Sequence, residues 1–215
     1  MQLLLCASTE FEIWPTIKFI QKKSIPNIDV LITGVGMMAT AYALTKRILA
    51  KKPDFIVQAG LAGSLNESLP LAQIVLVENE NIGDLGVDEN NSFKTLFDLN
   101  LLDGNSFPWQ NGKLSNDFES LKSSGLSVVD GVSVNEITTD PDKINYYSQQ
   151  LNALVESMEG AALHYVALQE NIRFLQIRSV SNFVGERDKN KWLTDVAAAN
   201  LNEELQKILT QLLNQ

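Results

Sequence analysis

The sequence holds a single cysteine, a single histidine and six prolines in 215 residues. One thiol, Cys6, cannot build a disulfide framework. Its place in the apolar run Leu3–Ala7 marks it as the buried thiol of a reducing compartment, with no base motif beside it to make it a nucleophile. Without a His/Cys cluster there is no set of side chains at metal-ligand spacing, so neither a metal nor an organic cofactor is expected. Positive charge is also scarce. Seventeen Lys and Arg face 26 Asp and Glu, for a net charge of −9. A nucleic acid would be repelled on average, and the densest basic stretch, Arg187 to Lys191, is interrupted by Asp188 and preceded by Glu186. No apolar run reaches the roughly 18 residues needed to span a membrane. The opening Met1–Ala7 has no positively charged start and is followed at once by Glu10 and Glu12, so it reads as a buried strand and not as a signal peptide. A soluble, cytoplasmic protein is the expectation.

What is present suits one globular domain spanning 1–215, with 45% hydrophobic and 20% charged residues. Short apolar runs alternate with helical patterns, the signature of an α/β protein. Strands are expected at Leu3–Ala7, Asp29–Thr33, Phe55–Ala59, Gln73–Val77, Val128–Val134, Ala153–Glu156 and Phe174–Val180. Helices are expected at Phe11–Lys22, Met37–Lys51, Gly160–Glu170 and Asp195–Leu213, the last with Thr194 as its N-cap. The apolar faces on both sides of Phe55–Ala59 point to a sheet covered on both faces. Gly60–Gly63 reads as a loop, and 81–125, rich in glycine, as the least regular part.

Five constellations could carry chemistry. Thr9-Glu10-Phe11-Glu12 places two carboxylates at the carboxyl end of the first strand, where open α/β sheets build their sites. The same acids would equally suit a helix N-terminus. Gly34-Val35-Gly36-Met37-Met38-Ala39 fits the dinucleotide fingerprint G-x-G-x-x-A but follows the second strand and lacks a well-placed ribose-binding acid, so a tight strand-to-helix turn explains it better. Gly60-Leu61-Ala62-Gly63 frees the backbone for close approach to a ligand. Met158-Glu159 pairs a soft apolar surface with a carboxylate able to accept bonds from two adjacent hydroxyls. In Arg178-Ser179-Val180-Ser181-Asn182, strand alternation puts Arg178 and Asn182 on one face. A buried arginine needs a carboxylate, for which Glu12 or Glu10 is the candidate. His164, inside a helix, reads as structural.

In this order and spacing, the five pieces resemble the superfamily of nucleoside phosphorylases and methylthioadenosine/adenosylhomocysteine nucleosidases over nearly the whole chain. The resemblance implies a three-layer α/β/α domain with a central mixed, largely parallel sheet, a small-molecule nucleoside substrate and a homodimer. It implies that Glu12 orders the attacking water with Arg178 nearby, that Met158 and Glu159 hold the ribose, and that Asn182 reads the base. Further substrate contacts are implied at Leu61, Ala62 and Gly63 and at Ser181, Phe183 and Arg187.

Two departures are informative. Leu61 stands where the nucleosidases carry a serine, so a hydroxyl is lost. Asn182 replaces their aspartate; an amide NH2 can donate to both N7 and a 6-oxo oxygen, which favours hypoxanthine or guanine as leaving group. The stretch Ser8–Glu12 has no Arg or Lys, so phosphate would be repelled and water is the better nucleophile. Gly83-Asp84-Leu85-Gly86-Val87, Glu156–Ala162 and Ser181–Asp188 with Trp192 resemble the futalosine hydrolases. They imply release of hypoxanthine from futalosine in menaquinone synthesis. Arg187 could meet the carboxylate of that substrate, or form an ion pair with Glu186 or Asp188. The rival readings are a methylthioadenosine/adenosylhomocysteine nucleosidase and a non-catalytic nucleoside-binding protein.

Overall fold

A computed structural model describes residues 1–89, 92–116 and 125–213. Its core is a nine-stranded mixed sheet. The strands in chain order are β1 (Leu3–Ala7), β2 (Ile28–Ile32), β3 (Phe55–Ser64), β4 (Ile74–Ile82), β7 (Trp109–Gln110), β8 (Lys113–Ser115), β9 (Ser127–Ser133), β10 (Val155–Ser157) and β11 (Arg173–Phe183); β5 (Gly86–Glu89) and β6 (Ser92–Thr95) form a separate hairpin. The helices α1 (Glu10–Lys23), α2 (Met37–Ala50), α3 (Pro141–Asn145), α4 (Gly160–Gln169) and α5 (Thr194–Leu213) connect and cover them.

β1 pairs in parallel with β2 and β3, and β3 in parallel with β11. The helices pack on both faces. On one, Ile13, Ile17 and Ile20 of α1 and Leu201, Leu205 and Leu209 of α5 cover Leu3, Leu5, Phe55 and Ile177. The spacing of Ile13, Ile17 and Ile20 is that of one helical stripe. On the other face, Leu44 and Ile48 of α2 and Leu163 and Val166 of α4 cover Leu4, Cys6, Ile56 and Phe174. Each fully buried aliphatic side chain here stabilises the fold by about 1.5–3 kcal/mol. Cys6 lies inside this second layer, and burial pushes its thiol up to about 12, which leaves it protonated and unreactive.

The sheet is not open along its whole length. β11 pairs with both β3 and β4, β4 with β9, β9 with β10, and β10 with the end of β3. These five strands close on themselves. Ala62, Val75, Val77, Val129, Val155 and Val180, drawn from all five, pack together within the ring. Register shifts at Val77/Asn79 and Val180/Asn182 supply the bends that closure needs.

Two expectations are corrected. Gly60–Gly63 is not a loop: it continues β3 in register with β11, Gly60 opposite Arg178 and Gly63 opposite Asn182. Thr194 is the first residue of α5 rather than a cap before it. Within 81–125, the described residues hold the β5–β6 and β7–β8 hairpins. Residues 117–124 of that stretch lie outside the described residues. Among the described residues no helix is long and apolar enough to cross a membrane.

Candidate functional site

Beside the middle of β3, the segments after β1 and β10 and strand β11 bring three charged side chains together. Glu12, in the first turn of α1, is buried, as are Arg178 and Glu159. Glu12 Oε2 accepts from Ser8 Oγ at 2.6 Å and from the Thr9 amide and hydroxyl, both at 2.9 Å. The amide contact is one arm of a capping box, the helix-terminal role that the acids of this turn suggested. Among the described residues, Glu12 Oε1 accepts only the Leu61 amide, at 3.0 Å. The structural and chemical readings of Glu12 therefore fall on different oxygens. Oε2 is saturated by three donors, whereas Oε1 keeps a lone pair free.

That lone pair lies over Gly60. A Cβ at Gly60 would sit 3.0 Å from Glu12 Oε1 and would overlap Arg178 Nη1, so only glycine lets the carboxylate and the guanidinium share the space above β3. Arg178 Nη2 donates to Gln58 Oε1 at 2.9 Å, and Nη1 points to the Leu61 carbonyl at 3.4 Å. The ion pair of Arg178 is with Glu159, Nη1 to Oε2 3.7 Å, and not with Glu12 or Glu10 as the sequence suggested. Glu159, immediately before α4, is 19 residues from Arg178 in the chain (178 − 159), nearer than either acid the sequence suggested. Glu10 is exposed. Glu159 Oε1 accepts the Gly36 amide at 3.0 Å. The Gly34–Ala39 turn thus serves this site through its backbone, with Gly36 at φ +95°, a conformation glycine adopts without strain.

The other predicted site residues divide into two groups. Met158 is half-buried beside Glu159. Asn182 sits at the bulge of β11. Its Oδ1 accepts from Ser181 Oγ at 2.8 Å and its Nδ2 donates to the Phe183 carbonyl at 3.0 Å, which leaves one Nδ2 hydrogen for a ligand and not the two that donation to both N7 and a 6-oxo oxygen would need. Gly63 lies opposite, where a Cβ would be 3.5 Å from Asn182 Nδ2. The Leu61 side chain packs toward the α1–α5 core and Ala62 into the closed ring of strands, so each faces the site through its backbone alone. The serine-to-leucine departure therefore removes no backbone donor. Arg187 forms neither of the ion pairs considered. Glu186 is paired with Lys191 at 2.5 Å, and the Arg187 guanidinium lies 5.6 Å from the centre of the Trp192 ring.

Sequence reasoning missed a buried polar layer behind these residues. Glu80 of β4 accepts from Gln176 Nε2 at 2.8 Å and from Ser133 Oγ at 3.1 Å, and Ser133 Oγ receives the Ala161 amide at the start of α4. Burial pushes the Glu80 carboxyl up to about 7, against the opposing pull of Gln176, Arg178 and Ser133. His164 Nδ1 donates to the Leu114 carbonyl at 3.0 Å, and burial pushes the imidazole down to about 4, so it is neutral. The available signal was Gln58 and Gln176, each flanked by apolar residues in its strand, whereas Glu80 lies in the polar run Glu78–Asn81 and gave none. Asp84 of the Gly83–Val87 stretch receives the Asn135 and Glu136 amides and so pins the loop after β9.

Residues 26–214 match the phosphorylase superfamily, and the chain belongs to it. Within that class, the futalosine hydrolase of Thermus thermophilus is 29% identical over 184 residues, covering 84% of this chain and 80% of that one. A 5′-methylthioadenosine/S-adenosylhomocysteine nucleosidase of Haemophilus influenzae is 24% identical over 184 residues, covering 83% and 78%. The native futalosine hydrolase structure from Helicobacter pylori superposes with a TM-score of 0.80 at 16% identity over 98% of both chains. This chain shares its α/β architecture with that structure.

Proposed function

We propose that the chain is a nucleosidase that hydrolyses futalosine to hypoxanthine and the dehypoxanthine sugar, a step of menaquinone synthesis in the cytoplasm. The observation that carries the hydrolytic reading is the free lone pair of Glu12 Oε1 beside Arg178, in a first loop with no cation to spare. Two carboxylates, Glu12 and Glu159, flank the one guanidinium. A phosphate dianion would meet a net negative cluster, whereas a neutral water would be held between an acceptor and a donor.

In the step proposed, the bond from C1′ to the base nitrogen breaks and its electron pair goes to the base. The sugar gains oxocarbenium character, as in other glycoside cleavages. Water oxygen bonds to C1′ and Glu12 Oε1 takes one of its protons. Glu159 accepts the ribose hydroxyls against Met158. The remaining Asn182 N–H holds the charge on the departing 6-oxopurine, which then takes a proton from solvent. The likeness to the Thermus thermophilus futalosine hydrolase supports the choice of substrate. A homodimer is part of this reading.

Purified protein given futalosine, inosine and methylthioadenosine in separate assays should release base fastest from futalosine. Preference for methylthioadenosine would reassign the chain to the adenosyl-type nucleosidases.

A further inference from the structure

We propose that Asn202, 190 residues beyond Glu12, is a positioning residue for it. Helix α1 has a weak turn directly after its catalytic candidate. Pro15 has no N–H to give the Phe11 carbonyl, and a proline ring inside a helix crowds the carbonyl four residues back. At this turn α5 inserts the side-chain amide of Asn202, only 2% exposed. Its Oδ1 accepts from the Thr16 amide at 3.0 Å and from Thr16 Oγ1 at 2.7 Å. Its Nδ2 donates to the Glu12 carbonyl at 2.8 Å and to the Ala198 carbonyl at 2.7 Å. Every donor and acceptor of the amide is used. The opposite orientation would press an oxygen against two carbonyls, so the partners fix which atom is which.

In an uninterrupted α-helix the Glu12 carbonyl and the Thr16 amide would be the two ends of one hydrogen bond; here each is bonded to the Asn202 amide. The Asn202 amide spans these groups as a clip between α5 and the turn of α1 that carries the acid. Four donors fix the Glu12 carboxylate at its tip, and Asn202 fixes it at its backbone. A placement error of about 1 Å at a reacting group costs on the order of a hundredfold in rate. The structure therefore assigns Asn202 to the precision of Glu12 and not to substrate contact. This inference rests on Glu12 acting on water.

The experiment compares kcat and KM for futalosine in Asn202→Asp, Asn202→Leu, Glu12→Gln and Leu209→Ala, with exchange of the Thr16 amide hydrogen followed by NMR. Asn202→Asp keeps an acceptor for Thr16 but opposes the Glu12 carbonyl. Both Asn202 variants should lower kcat about tenfold to a hundredfold with KM within about twofold, and Asn202→Leu should expose the Thr16 amide to faster exchange. Asn202→Ser drops the amide with little steric demand and gives the same readout where the leucine variant does not fold. Leu209→Ala, a core truncation farther along α5, should lower the melting temperature and leave kcat unchanged well below it. Folded Asn202 variants with parental kcat, beside an inactive Glu12→Gln, overturn the positioning role. Parental kcat in Glu12→Gln overturns the reading of Glu12 itself and the proposal with it.

Discussion

The Oε1 of Glu12 receives the amide hydrogen of Leu61 at 3.0 Å, tying the first turn of α1 to the middle of the Gly60–Gly63 segment of β3. This bond aims the remaining lone pair of Oε1 at the space above Gly60 where Arg178 also reaches. Replacing Glu12 by Gln keeps the size and removes the base, its one oxygen accepting either from Leu61 or from Ser8 and Thr9. We expect kcat to fall by roughly 10²–10⁴-fold, the usual contribution of a positioned acid or base. Steady-state kinetics with unchanged circular dichroism would check it, and parental turnover would remove Glu12 from the mechanism.

Gly160→Ala tests the polar layer behind the site. A Cβ there would overlap Glu80 Oε1 and Gln176 Nε2, both held in a packed hydrogen-bond network. Overpacking of this kind costs about 1–3 kcal/mol. Thermal melting should show the loss, and a melting temperature equal to the parent's would mean that the layer can yield.

Glu80 should make stability depend on pH. Burial raises its carboxyl from 4.5 to about 7. Between those values the folded chain holds a proton that the unfolded chain has already lost. The contribution of Glu80 to folding is thus fully present below pH 4.5 and is lost as pH rises toward 7. Glu80→Gln abolishes this term. The Gln variant should therefore gain on the parent by about 1.4 kcal/mol per pH unit across that window. Denaturant unfolding at several pH values reads the difference, and a constant difference contradicts it.

Asn182→Asp changes the base reader. An aspartate restores the group the adenosyl-type enzymes are expected to carry and removes the Nδ2 hydrogen left over after the Phe183 bond. The ratio of kcat/KM for 6-oxo over 6-amino nucleosides should drop by about tenfold or more, equivalent to one hydrogen bond to a charged group. An unchanged ratio would show that Asn182 does not face the base.

Much of this arrangement is visible in the sequence because strand ends and helix starts are local. Leu3–Ala7 followed by an acid pair, and a small-residue helix preceded by Glu159, needed no tertiary information. What escaped depends on which side chains the fold turns toward one another. Arg178 takes Glu159 and Gln58 as partners, which strand alternation cannot reveal. Glycines 60 and 63 resemble loop residues, yet they keep β3 extended while making room for Arg178 and Val184. Asn202 lies on the apolar stripe of α5 with Ala198, Leu201 and Leu205, and a lone amide there signals a buried partner without naming it.

Cleavage of futalosine in ¹⁸O-labelled water with excess phosphate tests the central claim most directly. A nucleosidase using Glu12-activated water should yield hypoxanthine and a free sugar two mass units heavier, at a rate independent of phosphate. A sugar 1-phosphate without the label, formed at a rate that rises with phosphate, would contradict it.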